Sequence, residues 1–254
     1  MTSIPNGNRL AIVTGTSSGI GAALAQALLD EEWTVIGLAR RSVDLGHLRY
    51  RHVAVDLGDV GVLASVAEQA LRPVVMEDRW ARVALVNNAA LSGESKGLED
   101  CEPGQLQHLL AVNTVAPMYL MGFVARVSPP SVPLRIVNIS SGAAVSAFPG
   151  LGDYCASKAA LRMAGMVMAA ELDSDLRPGG RRADAAVFSY EPGVVDTPMQ
   201  TAARSHSLED SPWSEPFKEF AAQGLLEKPE DVVREIVAFA GGDGHEAFVE
   251  RRYG

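Results

Sequence analysis

Tyr154 and Lys158 stand four positions apart in the segment Tyr154-Cys155-Ala156-Ser157-Lys158, and on a helix that spacing puts both side chains on one face. A phenol with an ordinary pKa of about 10 keeps its proton near neutrality and can give it to a carbonyl oxygen as that oxygen gains charge. A neighbouring ammonium lowers the phenol's pKa and stabilises the phenolate left behind. Taken alone, a Tyr and Lys at this spacing are more often a surface pair whose long stems cover apolar neighbours.

A second group of residues changes that balance. The run Thr14-Gly15-Thr16-Ser17-Ser18-Gly19-Ile20-Gly21 follows a short apolar segment and leads directly into a helical pattern. A strand, a glycine-rich turn and a helix make a dinucleotide site: the glycines allow a tight turn and close backbone approach, and the helix start offers free N–H groups to a pyrophosphate. Gly15, Ser17, Ser18, Gly19, Ile20 and Gly21 are therefore the predicted cofactor turn. Sites preferring NAD place a carboxylate at the end of the second strand, yet no acid occurs from Trp33 through Val43. Arg40 and Arg41 stand there instead, and a guanidinium suits the 2′-phosphate of NADP(H). Asp56-Leu57, after the third strand, is placed either at the adenine edge or, for Asp56, as a helix cap.

The elements that must position these groups follow from periodicity. Short apolar runs at Leu10–Val13, Thr34–Leu38, His52–Val55, Val83–Val86, Arg135–Ile139 and Ala185–Phe188 predict strands. Helical patterns near Gly21–Asp30, Val60–Val75, Gln105–Val127, Tyr154–Leu176 and Pro229–Ala240 alternate with them. The alternation predicts an α/β fold, a doubly wound Rossmann-type parallel sheet with helices on both faces, as one domain over residues 1–254. Pro117 should bend the third helix or divide it in two. The stretch Thr197–Gly224 reads as the only long irregular segment and is expected to form a lid.

Composition excludes other classes. With 22 Lys+Arg against 31 Asp+Glu the formal net charge is −9, which argues against nucleic acid or an anionic membrane as a partner. No apolar run is read as long enough for a membrane span, and the first residues lack a signal-peptide pattern, so a cytoplasmic location is expected. Cys101 and Cys155 form no CxxC pair and the five histidines are scattered, so no metal site is expected.

The order TGxxxGxG, Asn87-Asn88-Ala89-Ala90, Asn113, Ser141, YxxxK and Pro192-Gly193 resembles the short-chain dehydrogenase/reductase family in its compact form, over nearly the whole chain. The resemblance implies that Asn113, Ser141, Tyr154 and Lys158 form the catalytic set. Ser141 would polarise the substrate carbonyl, Lys158 would also bond the nicotinamide ribose, and Asn113 would hold a water in a proton relay. It implies further cofactor contacts from Asn88, Ala89, Pro192, Gly193, Val195 and Thr197. The substrate would lie among Ala143, Phe148, Leu151, Met199, Trp213 and Phe217. The helices carrying Met118, Met121, Met163, Met166 and Met168 resemble the family's subunit-contact pair, which implies a homodimer or homotetramer. Pro192-Gly193-Val194-Val195-Asp196-Thr197-Pro198-Met199-Gln200 resembles the sepiapterin and benzil reductase branch. Pterin-reducing members anchor their substrate with an Asp near the C-terminus, where this chain has Glu250. The reading is therefore an NADPH-dependent carbonyl reductase acting on a ketone or vicinal diketone. The alternatives are a 3-oxoacyl or sugar-alcohol dehydrogenase on the same scaffold, and a non-catalytic NADP-sensing module.

Overall fold

The apolar runs pair into one seven-stranded sheet in the order β3-β2-β1-β4-β5-β6-β7. The strands are β1 (Arg9–Thr14), β2 (Thr34–Ala39), β3 (Tyr50–Ala54), β4 (Arg82–Asn87), β5 (Leu134–Ile139), β6 (Ala185–Glu191) and β7 (Phe248–Arg252). All neighbours are parallel, with Leu10 opposite Thr34 on one side of β1 and opposite Val83 on the other. The protein is represented by a computed structural model that describes residues 8–93, 96–175, 180–182, 184–205 and 214–254.

Helices cover both faces, as a parallel sheet with near-continuous apolar strands requires. One face carries α1 (Gly19–Asp30) and α7 (Pro229–Gly241). Leu24 and Leu28 of α1 pack there with Val232 and Ile236 of α7 over Val13, Val35 and Val86. The other face carries α2 (Val60–Val66, continuing through a π turn, Ala67–Leu71, into Arg72–Val75), α3 (Pro103–Leu110, a π turn, Ala111–Val115, then Ala116–Val127) and α4 (Gly152–Leu172). Leu63, Leu120, Phe123 and Leu161 meet Leu10, Leu85 and Ile136 in that second core. The expected doubly wound α/β sheet is therefore what forms.

Four sequence expectations need correction. Pro117 does not divide α3: it has no N–H for the carbonyl four residues back, and the wider π turn at Ala111–Val115 precedes it within one continuous helix. The described residues of Thr197–Gly224 are largely helical, forming α5 (Pro198–Ser205) and α6 (Ser214–Ala222). Strand β7 escaped notice because Phe-Val-Glu-Arg-Arg is short and half charged, as an edge strand can be. Finally, Pro103–Val127 is long and apolar enough by length and composition to cross a membrane. It is nevertheless a core helix, with Leu109, Ala116, Leu120, Phe123 and Val124 buried.

Candidate active site

β1 and β4 are adjacent although not consecutive, so the chain runs outward from this point in both directions and opens a crevice beyond the strands' carboxyl ends. The crevice is a cleft of about 940 Å³ running from the glycine turn to α5 and α6.

Its floor is built by close backbone packing. Gly15 has φ +76°, and a Cβ there would stand 2.9 Å from Asn88 Nδ2. A Cβ on Gly21 would lie 2.3 Å from the Gly15 carbonyl, so Gly21 is required for the turn to sit against α1, and it does not line the cleft. Asn88 Nδ2 donates to the Thr14 carbonyl at 2.8 Å, while Thr14 Oγ1 accepts from the amides of Asn88 and Ala89 at 2.9 and 3.0 Å. Asn88 and Ala89 thus brace the turn and also line the cleft. Ser18 makes no side-chain cap bond and the first turn of α1 has no acid, which leaves its amides open to an anion. Arg41 Nη2 reaches Ser17 Oγ at 3.3 Å and Ser18 Oγ at 3.4 Å, and Arg40 borders the same end of the cleft. A glycine cradle, free helix-start amides and two cations fit a dinucleotide phosphate.

Asp59, not Asp56, caps α2, accepting from Val62 N at 2.9 Å. Asp56 Oδ1 instead accepts from Gly58 N at 2.9 Å, and Asp56 and Leu57 line the cleft. The capping alternative for Asp56 is thereby removed.

The chemistry-bearing side chains converge at the centre. Ser141 follows β5, and its Oγ accepts from Ala143 N at 3.2 Å in a short 3-10 turn, Gly142–Ala144. Tyr154 and Lys158 project from the first turns of α4, with Lys158 Nζ 5.6 Å from the centre of the Tyr154 ring. Lys158 is buried and donates to the Ile139 carbonyl at 2.8 Å. Burial lowers its pKa to about 8. Burial likewise pushes the Tyr154 phenol up to about 12, and a hydrogen bond with Ser141 offsets only part of this. The phenol is therefore raised, not lowered as the Tyr–Lys spacing predicts, because loss of solvent disfavours the phenolate more than the Ser141 hydrogen bond favours it. Tyr154 is held as a neutral phenol.

Asn113 lies behind this group rather than in the cleft wall. Its Oδ1 accepts from Leu91 N at 2.8 Å, and its Nδ2 donates to Leu91 O at 2.8 Å and Ser157 Oγ at 3.0 Å. Ser157 Oγ in turn donates to the Tyr154 carbonyl at 2.8 Å, so Asn113 ties the Leu91 segment to the helix bearing Tyr154.

At the far end, Pro192, Gly193, Val195 and Thr197 form a wall of the cleft. The bridge Val195–Glu227 fixes this segment, and Thr197 Cγ2 would lie 3.1 Å from a Cβ on Gly19. Ala143, Phe148, Leu151, Met199 and Phe217 also line the cleft, while Trp213 lies outside the described residues. Sequence reasoning missed Gln200 and Phe220 on α5 and α6, and Arg252 on β7, which also line it. A start signal for α5 was present: Thr197 Oγ1 accepts from Gln200 N at 3.3 Å in the manner of a cap, and Pro198 follows it. Arg252 pairs with Glu191 at 3.3 Å. Glu250 is held by Arg162, at 2.6 and 2.7 Å, and does not line the cleft. Among the described residues no group of three or more His, Cys, Asp or Glu side chains is disposed to hold a metal.

A glycine turn at a switch point, joined by one cleft to Tyr154 and the buried Lys158, defines a dinucleotide-binding oxidoreductase of the doubly wound class. Residues 9–208 match the short chain dehydrogenase family, and the chain belongs to it. It is 33% identical over 236 residues to benzil reductase ((S)-benzoin forming) of Bacillus cereus, covering 90% of this chain and 92% of that protein. It is also 33% identical over 222 residues to sepiapterin reductase of Bos taurus, covering 80% and 79%. The protein is therefore a short-chain oxidoreductase of the branch that holds these two reductases, in a family that uses nicotinamide cofactors. The crystal structure of the KRED1-Pglu enzyme shares the fold, with a TM-score of 0.80 at 22% identity over 96% of this chain and 100% of that one.

Proposed function

We propose that the protein is an NADPH-dependent carbonyl reductase acting on small aromatic ketones or vicinal diketones, with Tyr154 as the proton donor. The observation that carries this reading is the neutral Tyr154 phenol placed with Ser141 and the buried Lys158 in the cleft that the glycine turn also lines. When bound, a reduced nicotinamide supplies the hydride that the carbonyl carbon accepts. Ser141 and Tyr154 hydroxyls hold the carbonyl oxygen, and Tyr154 gives it a proton as charge develops. Lys158 stabilises the resulting phenolate and offers its remaining donors to ribose hydroxyls, since one N–H is already committed to Ile139.

Arg40 and Arg41, with no acid from Trp33 through Val43, support a 2′-phosphate. The apolar wall of Phe148, Leu151, Met199 and Phe217 supports an aromatic substrate, and the commitment of Glu250 to Arg162 speaks against its anchoring a pterin. In this reading α5 and α6 form the lid. Exposed Val115, Met118, Met163 and Val167 on α3 and α4 support association of copies through those helices.

The test is oxidation of NADPH and NADH across diketones, pterins, quinones and 3-oxoacyl thioesters. Rapid NADPH-dependent turnover of a diketone is expected. Turnover confined to 3-oxoacyl thioesters, or tight NADPH binding with no turnover at all, overturns the assignment. Arg40→Glu should weaken NADPH at least about tenfold more than NADH, as loss of a charge-assisted pair implies. Equal losses refute the 2′-phosphate contact.

A further inference from the structure

Gly37 stands in the middle of β2, where a glycine weakens the strand and commonly marks a close approach by another group. The group here is the Tyr50 side chain. Tyr50 opens the edge strand β3, opposite Val35, and its phenol reaches across β2 over Gly37. Its hydroxyl oxygen lies 3.1 Å from Thr16 Oγ1, one donating to the other. A Cβ on Gly37 would stand 2.4 Å from the phenol oxygen and 2.5 Å from Thr16 Oγ1, so this bond forms only because residue 37 has no side chain. Thr16 belongs to the glycine turn and is fully buried. Neither Thr16 nor Tyr50 lines the cleft, whereas Gly15, Ser17 and Ser18 on either side of Thr16 do.

We infer that Tyr50 is a positioning residue for the cofactor: acting through Thr16, it holds the glycine turn in the arrangement that receives the dinucleotide phosphates. This rests on the dinucleotide reading of the turn and adds to it a residue from the far edge of the sheet. The turn is tied down on both sides of Gly15. Toward β4, Thr14 Oγ1 accepts from the amides of Asn88 and Ala89 at 2.9 and 3.0 Å. Toward β3, the tie is the bond between Thr16 and Tyr50. The contacts of Arg41 with Ser17 and Ser18, at 3.3 and 3.4 Å, come from an exposed side chain, so the buried anchor on this side is Tyr50. Without that anchor the turn samples further arrangements, and apparent affinity falls with the fraction of molecules in the competent one. The phosphates held at the turn are common to NADPH and NADH, so the loss falls on both alike.

The experiment measures Kd for NADPH and NADH by fluorescence titration, together with Tm, in the wild type, Tyr50→Phe, Thr16→Val and the double variant. Tyr50→Phe keeps the ring over Gly37 and removes only the hydroxyl. Its Kd for both cofactors should rise about three- to tenfold, and Thr16→Val should match it. The double variant should bind no more weakly than either single one, since all three lack the same bond. Thr16→Ser, which restores the hydroxyl, should recover most of what Thr16→Val loses. A Tyr50→Phe protein that melts lower yet binds both cofactors as tightly as the wild type overturns the inference and leaves Tyr50 as a packing residue. So do additive losses in the double variant, which give the two hydroxyls separate roles, and a loss confined to NADPH, which moves Tyr50 to the 2′-phosphate. If Thr16→Val fails to fold, the titrations of Tyr50→Phe decide. A wild type that binds neither cofactor overturns the dinucleotide reading and the inference with it. A wild type that binds them, beside a Tyr50→Phe that binds equally well, overturns the inference alone.

Discussion

The two ends of the sheet each bury a cation, and they treat it differently. Below the strands, Arg135 is 0% exposed, and its guanidinium meets Asp184 Oδ1 at 2.7 Å, the Gly242 carbonyl at 2.9 Å and the carbonyls of Leu134 and Asp184 at 3.2 Å. At the other end, Lys158 is 3% exposed and makes a single hydrogen bond, to Ile139 O. The first cation is surrounded by acceptors, as a charge serving structure must be to offset its desolvation. The second is under-served. Its pKa falls to about 8, and its unused donors face the cleft where a ligand can meet them. The unused donors of Lys158 mark one end of this molecule and the ring of acceptors around Arg135 the other.

The largest expected effect breaks the functional end alone. Tyr154→Phe removes the donated proton without changing the ring, so turnover should fall about 10²–10⁴-fold with the melting temperature and cofactor affinity retained. A variant that keeps wild-type turnover refutes the role of the phenol. Next, Arg135→Leu should break the structural end alone, costing on the order of 3 kcal/mol in denaturant unfolding because the carbonyls and Asp184 around it lose their partner. Activity per folded molecule should be little changed. If instead stability is unaffected while turnover collapses, the contrast between the two ends is wrong. The finest test concerns pH. Lys158 is charged below about 8 and neutral above, so reductive kcat/KM should decline as pH rises through about 8. In Lys158→Arg the guanidinium stays charged, and any remaining activity should lack that decline. Persistence of the same decline assigns it to another group.

Much of the site could be read from linear spacing because its parts are local. The Tyr154–Lys158 pair lies within two turns of one helix, and the glycine turn is a continuous strand–turn–helix segment. Six of the seven strands were visible; β1, β2, β4, β5 and β6 are buried on both faces and have no polar alternation to disguise them, while the half-exposed edge strand β3 showed only through the run His52–Val55. Strand β7 and helices α5 and α6 were not visible: β7 is five residues and half charged, and the two helices, at eight and nine residues, are too short for periodicity to stand out from a Pro- and Ser-containing stretch. Gln200 illustrates the limit best. As a letter it is one polar residue near the end of a motif, and only the packing of α6 against α5 reveals that one end of its amide is used and the other is not.

By itself the sequence determined the doubly wound order of elements, the strand–glycine turn–helix segment and the pairing of Tyr154 with Lys158 on one helix, because each depends on residues close together along the chain. Only the tertiary structure decided the protonation balance of Tyr154 and Lys158, the bracing role of Asn113, the withdrawal of Glu250 by Arg162 and the buried acceptor on Gln200. Those properties depend on desolvation and on partners tens of residues away along the chain, and neither exists until the sheet has closed around them.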